Sequence, residues 1–155
     1  MPGAGPNWAA KVDGNVAKDN VRIVAVYCSG AVTIGNPVAI DPADTTYGQG
    51  KSCKKNVVDD SPFVFGIAYE TITAAGLVRV QVAGPIQATD AHNPKATGNI
   101  TPAGKMISGN NTTTAGTIKA AANPTVSLWP FAVCMTPYTD TNADGSMFII
   151  DKGWF

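Results

Sequence analysis

The alternation of apolar and polar positions is clearest over residues 61–84, SPFVFGIAYETITAAGLVRVQVAG. Phe63, Phe65 and Ile67 alternate with Val64, Gly66 and Ala68. After the Ala74-Ala75-Gly76 break, Leu77, Val78, Val80 and Val82 alternate with Arg79 and Gln81. Side chains of a strand point to opposite faces with period 2, so the second run has one apolar face and one wetter face. Two such runs around a glycine-containing break predict a hairpin. Upstream, residues 21–28 predict a strongly apolar strand, Gly35-Asn36-Pro37 a turn, and residues 38–40 a short strand stopped by Asp41-Pro42. Residues 43–56 are polar and predict a loop or weak hairpin. Residues 86–99 predict a linker, built around the Thr89-Asp90-Ala91-His92-Asn93-Pro94 cluster. Further short apolar segments follow near Ile100, Met106, residues 126–135 and residues 146–155. Residues 108–116 predict a polar surface loop, and residues 117–122 either a strand or a helical turn. Short strands separated by Gly/Pro turns at roughly ten-residue spacing predict an all-β barrel or sandwich.

The organising hairpin recurs. At a shift of 68 positions, Pro62-Phe63-Val64-Phe65 falls on Pro130-Phe131-Ala132-Val133 and Val32-Thr33 on Ile100-Thr101. At the same shift Gly48 falls on Gly116, Lys51 on Lys119 and Val58 on Val126. One residue added in the turn moves the register to 69, matching Gly76 to Gly145, Val78 to Met147, Val80 to Ile149 and Gly84 to Gly153. Ordered matches at one offset predict an internal duplication: pseudo-repeat units of about 21–86 and 99–155 within a β-domain of residues 21–155. Phe63 and Phe131 are then expected in equivalent core environments. Residues 1–20 carry Pro2, Gly3, Gly5, Pro6 and Gly14 with few large apolar side chains, and predict an extended N-terminal arm. Trp8 is the exception there: such a Trp either tucks into its own domain or anchors on a partner, and it is the candidate partner-binding residue because aromatic anchors carry a disproportionate share of binding energy.

Composition narrows the function classes. Charged residues make up 14% of the 155-residue chain and the formal net charge is zero, against a typical quarter. Lys54-Lys55 is the only adjacent basic pair, followed closely by Asp59-Asp60, so neither a nucleic-acid footprint nor a polybasic membrane segment is present. The N-terminus has no basic region followed by an apolar one, which argues against a secretory signal and for synthesis in the cytoplasm. The apolar runs are too short to span a bilayer as helices. Cys28, Cys53 and Cys134 are odd in number and widely spaced; they predict buried free thiols.

Candidate chemistry is sparse. Asp140, Asn142, Asp144 and Gly145, with Asp151 at the twelfth position, match the oxygen-ligand spacing of an EF-hand calcium loop. The flanks are strand-like, the twelfth residue is the shorter Asp, and the equivalent turn of the first copy lacks the carboxylates. A polar β-turn, which Asn, Asp and Gly favour, is the expected state, with no metal bound. His92 is the only histidine and lies in the polar linker, without a strained serine turn or further ligands at metal spacing. Asp59-Asp60 are adjacent and would point to opposite faces of a strand. No catalytic or cofactor-binding residue emerges, and the expectation is a non-enzymatic binding or structural module without a cofactor.

Three segments carry a resemblance: Gly35-Asn-Pro-Val-Ala-Ile40, Pro62-Phe-Val-Phe-Gly-Ile-Ala68 and Gly76-Leu-Val-Arg-Val-Gln-Val-Ala-Gly84. A glycine turn before a short G-x-P-V strand, a GIA strand and a G-x-V-x-V-x-V-x-G strand together resemble the capsid decoration (cement) proteins of tailed bacteriophages. The resemblance covers residues 30–86 and, more faintly, 100–155. It departs from the usual single unit by the second copy and the long arm. It implies a β-rich, barrel-like structural protein of the virion, made in the host cytoplasm, that binds the outer capsid surface and stabilises the head. The implied partners are the major capsid protein and further copies of the chain, as a homotrimer. The competing expectation is a calcium-dependent or carbohydrate-binding β-module of a tail fibre or cell surface. It would use the loop from Asp140 to Asp151, with Trp129, Trp154 and the tyrosines as sugar platforms.

Overall fold

A computed structural model describes residues 21–58, 61–101, 106–110, 116–121 and 130–154. The fold is all-β: among the described residues there are nine strands and no helix. The strands are β1 (Arg22–Cys28), β2 (Pro37–Ile40), β3 (Cys53–Lys55), β4 (Val64–Ala68), β5 (Gly76–Ile86), β6 (Met106–Asn110), β7 (Thr117–Ala120), β8 (Ala132–Thr136) and β9 (Ser146–Ile149).

Five of them close into a barrel in the order β1-β3-β2-β4-β5, with β5 returning to β1. The closing ladder is long, running antiparallel from Arg22 opposite Ala83 to Cys28 opposite Gly76. Full closure removes the exposed sheet edges that β-proteins must otherwise protect. The sequence supports it through the alternating valines of β5. Val78, Val80 and Val82 turn inward with Val26, Cys28, Val38, Cys53 and Phe65 to form one core. Gly66 on β4 is required by proximity, because a Cβ there would run into the Gln81 carbonyl of β5. The three cysteines are buried and free. Cys28 and Cys53 face each other across the parallel β1/β3 pair, and burial pushes their thiols up to about 11 and about 12.

The remaining strands lie outside the barrel and repeat its wiring. β5 outruns the barrel, and Gly84–Ile86 pairs with β9. β9 pairs with β8, β8 with β6, and β6 with β7. The first half pairs β2 with β3, β2 with β4, and β4 with β5. The second half pairs β6 with β7, β6 with β8, and β8 with β9 in the same succession. Where β2 meets β4 and β6 meets β8, the register agrees at the residue level. Ala39 opposite Val64 becomes Ile107 opposite Ala132, both shifted by 68. The bridge Val32–Ile72 and the parallel pair Cys28–Cys53 have counterparts in Ile100–Tyr138 and the parallel bridge Ala96–Ile118, with the first partners shifted by 68 and the second by 66 and 65. A second core fills this half, with Ile86, Ile100, Ile107, Ile118, Phe131, Met147 and Ile149. Ala39, Val64 and Ile67 reach into it from the barrel.

Four expectations are corrected. Phe63 and Phe131 hold the same place on the repeated ladder but not the same environment: Phe131 is 0% exposed and Phe63 is 40% exposed. The 69-residue register of the last strand also fails. Ala68 pairs with Val80, and Thr136 with Ser146. The paired residues are thus 12 apart in the first copy (80 − 68) and 10 in the second (146 − 136), two fewer rather than one more. A bulge between Cys134 and Thr136 shifts the register within the β8/β9 pair. Residues 86–99 are no solvated linker, since His92, Asn93 and Ala96 are buried. Finally, the polar stretches hide strands: β3 lies within residues 43–56, and Ser108 is a buried residue of β6.

Candidate functional site

The polar cluster after β5 is densely hydrogen-bonded, and it is built to hold position. The Gln81 side chain is buried on β5. Its Nε2 donates to the carbonyls of Ala83 and Pro85 at 3.3 and 2.9 Å, which leaves Oε1 as an acceptor. His92 Nε2 lies 2.8 Å from that oxygen, so the neutral tautomer protonated at Nε2 completes the pair. Burial lowers the His92 pKa, against a weaker opposing effect of Asp90. Tyr69 packs on the imidazole with ring centroids 4.5 Å apart, and the Arg79 guanidinium lies 5.4 Å from the Tyr69 ring. Glu70 accepts from the Arg79 backbone and guanidinium at 2.8 to 3.0 Å, which holds its carboxyl below the ordinary range. Asn93 continues the network. Its Nδ2 donates to the carbonyls of Ala143 and Gly145, and its Oδ1 accepts from the Tyr138 hydroxyl at 2.8 Å. The group ties the β4/β5 connection to the β8/β9 connection. His92 binds an amide rather than a hydroxyl or thiol, so its bond is positional.

The calcium-like loop does not converge. Asp144 accepts from the Thr139 backbone N–H at 2.9 Å and from the Thr139 hydroxyl, which lowers its pKa. Asp140 accepts from Gly98 N–H at 2.6 Å, and Asn142 donates to Thr139 Oγ1. Thr141 takes a left-handed conformation, φ 65°, at the tip. These three positions form a self-satisfied turn. Asp151 lies beyond β9, where it accepts from Arg22 at 2.8 Å and from Gly153 N–H. Among the described residues no group of three or more His, Cys, Asp or Glu is placed to hold a metal ion. Of the two tryptophans offered as sugar platforms, Trp154 is exposed with Lys152 Nζ 4.9 Å from its ring centroid. Trp129 lies outside the described residues, as do Trp8 with its arm and Asp59-Asp60.

Two surface features remain. A cleft of about 610 Å³ opens between the barrel turn at Thr33–Asn36 with Lys55 and the second-half segment bearing Asp90, Asn93 and Lys95. It is bridged where Asn36 Nδ2 donates to the Gly116 carbonyl at 3.0 Å. The other feature is an apolar row. Met106, Val133, Phe148 and Pro85 are mutual register partners across β6, β8, β9 and β5. Met106 and Phe148 are 38% and 41% exposed, and Met135 beside them is 60% exposed. The opposite face of the same strands carries the buried Ile107, Cys134, Met147 and Ile149. Sequence reasoning missed this row, yet a signal was present: Met147, Phe148, Ile149 and Ile150 run apolar without alternation, which makes both faces of β9 apolar.

No family model matches this sequence, and no curated protein matches it.

Proposed function

We propose that the chain is a structural protein of a tailed-phage virion that binds the outer surface of the head and stabilises the assembled shell. One observation carries the reading. The three segments that resemble decoration proteins are not scattered: they supply β2, β4 and β5, which are consecutive neighbours in the barrel wall. The resemblance therefore falls on one contiguous piece of scaffold, including Gly66, whose missing side chain lets β4 meet β5. Low charge suits dense packing on a lattice, and many identical sites give a large summed effect from modest individual affinities. The proposed partners are the major capsid protein and two further copies in a homotrimer, with residues 1–20 and Trp8 as the partner-binding element.

The test is co-sedimentation of the purified chain with mature heads of its own phage. The expected result is saturable binding, with lower occupancy or a lower trimer fraction once residues 1–17 are deleted and the circular dichroism unchanged. Absence of the intact chain from the head pellet overturns the reading. Full retention of occupancy and trimer by the deletion overturns the role given to the arm.

A further inference from the structure

The adjacent basic pair Lys54-Lys55 is split by the strand that carries it. Neighbouring side chains of β3 point to opposite faces. Lys54 Nζ reaches Asp41 at 2.8 Å, whereas Lys55 lines the cleft between the two halves. Its stem passes beside Gly116, where a Cβ would come within 3.2 Å of Lys55 Cδ. Lys95 lines the same cleft from the second half, its backbone fixed where the carbonyl accepts from Ile118 N–H at 2.9 Å. Two lysines, one from each half, thus flank the start of β7. Neither is ion-paired among the described residues, where the salt bridges use Arg22, Lys54 and Arg79. Asp90 is the carboxylate in the cleft wall, and its Oδ2 accepts from Gln87 N–H at 2.7 Å. The wall therefore carries an excess of one positive charge.

The donors present decide which anion fits. Phosphate sites draw on runs of free backbone N–H groups. In the turn that walls this cleft those groups are committed. Thr33 N–H donates to Asn36 Oδ1, Ile34 N–H to Thr71 Oγ1, Gly35 N–H to the Ala68 carbonyl and Asn36 N–H to the Thr33 carbonyl. What remains is a pair of ammonium groups and one excess charge, which suits a singly charged carboxylate. The volume of about 610 Å³ far exceeds a carboxylate and falls among clefts of roughly 300–1,000 Å³ that hold drug-sized ligands. Ile34, 38% exposed, and Ala88 add apolar surface beside the charges. We propose that the cleft binds an acidic side chain, glutamate or aspartate, carried on an extended protein segment. Lys55 and Lys95 take the carboxylate, and Ile34 and Ala88 take the apolar residues beside it. The inference stands whether or not the chain binds heads.

The test titrates the full chain, labelled with heavy nitrogen, with a terminally blocked peptide of sequence Leu-Ala-Glu-Ala-Leu and follows the amide resonances. The expected result is saturable shifts centred on Lys55, Lys95 and Gly116, with weaker binding of the same peptide carrying glutamine for glutamate. Lys55→Gln and Lys95→Gln should each weaken binding about threefold to fivefold. Asp90→Asn should tighten it by a similar factor, a gain that damage to the fold would not produce. Both lysines are at the surface, so either variant serves if the other does not fold. Equal binding of the glutamine peptide, or indifference to both lysine substitutions, would overturn the proposal. So would shifts centred elsewhere or no shifts. Propionate or inorganic phosphate binding as tightly as the peptide would also overturn it, by assigning the cleft to small free anions.

Discussion

Replacing Phe131 and Phe63 by alanine, one at a time, separates the shared ladder position from the unshared environment. Both residues immediately precede a strand, Phe131 before β8 and Phe63 before β4, and each is hydrogen-bonded through its backbone to the neighbouring strand, β6 and β2, though by opposite groups. Phe131 N–H donates to the Ile107 carbonyl at 3.1 Å, and the Phe63 carbonyl accepts from Ile40 N–H at 3.1 Å. Their side chains differ. Phe131 is 0% exposed within the second core, and Phe63 is 40% exposed. Full burial of a phenylalanine is worth about 1.5–3 kcal/mol by transfer, and the cavity left in a close-packed site raises the loss on truncation to about 3–5 kcal/mol. At Phe63 only the buried part of that transfer term is lost, and a site open to solvent leaves no closed cavity. The expected loss there is about 1 kcal/mol. Urea denaturation followed by tyrosine and tryptophan fluorescence measures both, and the corresponding melting shift for Phe131→Ala is roughly 10 °C. Equal losses for the two variants, or a larger one for Phe63→Ala, would refute the argument that the second half has a core of its own closed around Phe131.

Three further expectations follow from the site geometry. Gly145→Ala should destabilise by about 1–3 kcal/mol, because its Cβ would overlap the Tyr138 ring and lie 2.7 Å from the Pro137 carbonyl; an unchanged urea midpoint would contradict it. His92 is held neutral by burial, whereas in the unfolded chain it takes up a proton near pH 6.5. The unfolded state then binds more protons, so stability should fall as pH drops below about 6.5. His92→Gln should flatten that slope between pH 7.5 and 5.5, where Glu70, lowered, and Arg79, raised, keep constant charge; an identical slope in the variant would count against the buried neutral histidine. The Asp144 turn satisfies itself through Thr139. Calorimetry should therefore show no micromolar calcium isotherm, and one abolished by Asp144→Ala would overturn that description.

The elements that sequence made legible were those whose side chains alternate. β4 and β5 follow from the Phe63–Ala68 and Leu77–Val82 patterns, and β1 from the apolar run before Ser29-Gly30. The repeated strand pairing was legible at its fixed points, Val32/Ile100 and Pro62/Pro130, where turn residues and strand starts coincide. Its final register was not. The bulge at Met135 shifts pairing by a residue without leaving a compositional mark, and β9, apolar on both faces, matches the valines of β5 at several offsets. β3 and the buried part of β6 were hidden because Lys54, Lys55, Ser108 and Gly109 read as loop residues. Long-range pairing, with β1 and β2 for β3 and with β8 for β6, overrides that local preference. The His92–Asn93 cluster misled for a related reason. Polar residues are expected outside, and only the distant partners Gln81 and Tyr138 make their burial affordable. The apolar row was visible as composition but needed the register of four strands to become a surface.

Head stabilisation is tested most directly by heating mature heads that lack this protein, with and without the purified chain, and following genome release with a DNA-binding dye. The account predicts a saturable upward shift of the release temperature, reduced for the chain lacking residues 1–17. An unchanged release temperature at a saturating concentration of the intact chain would contradict it.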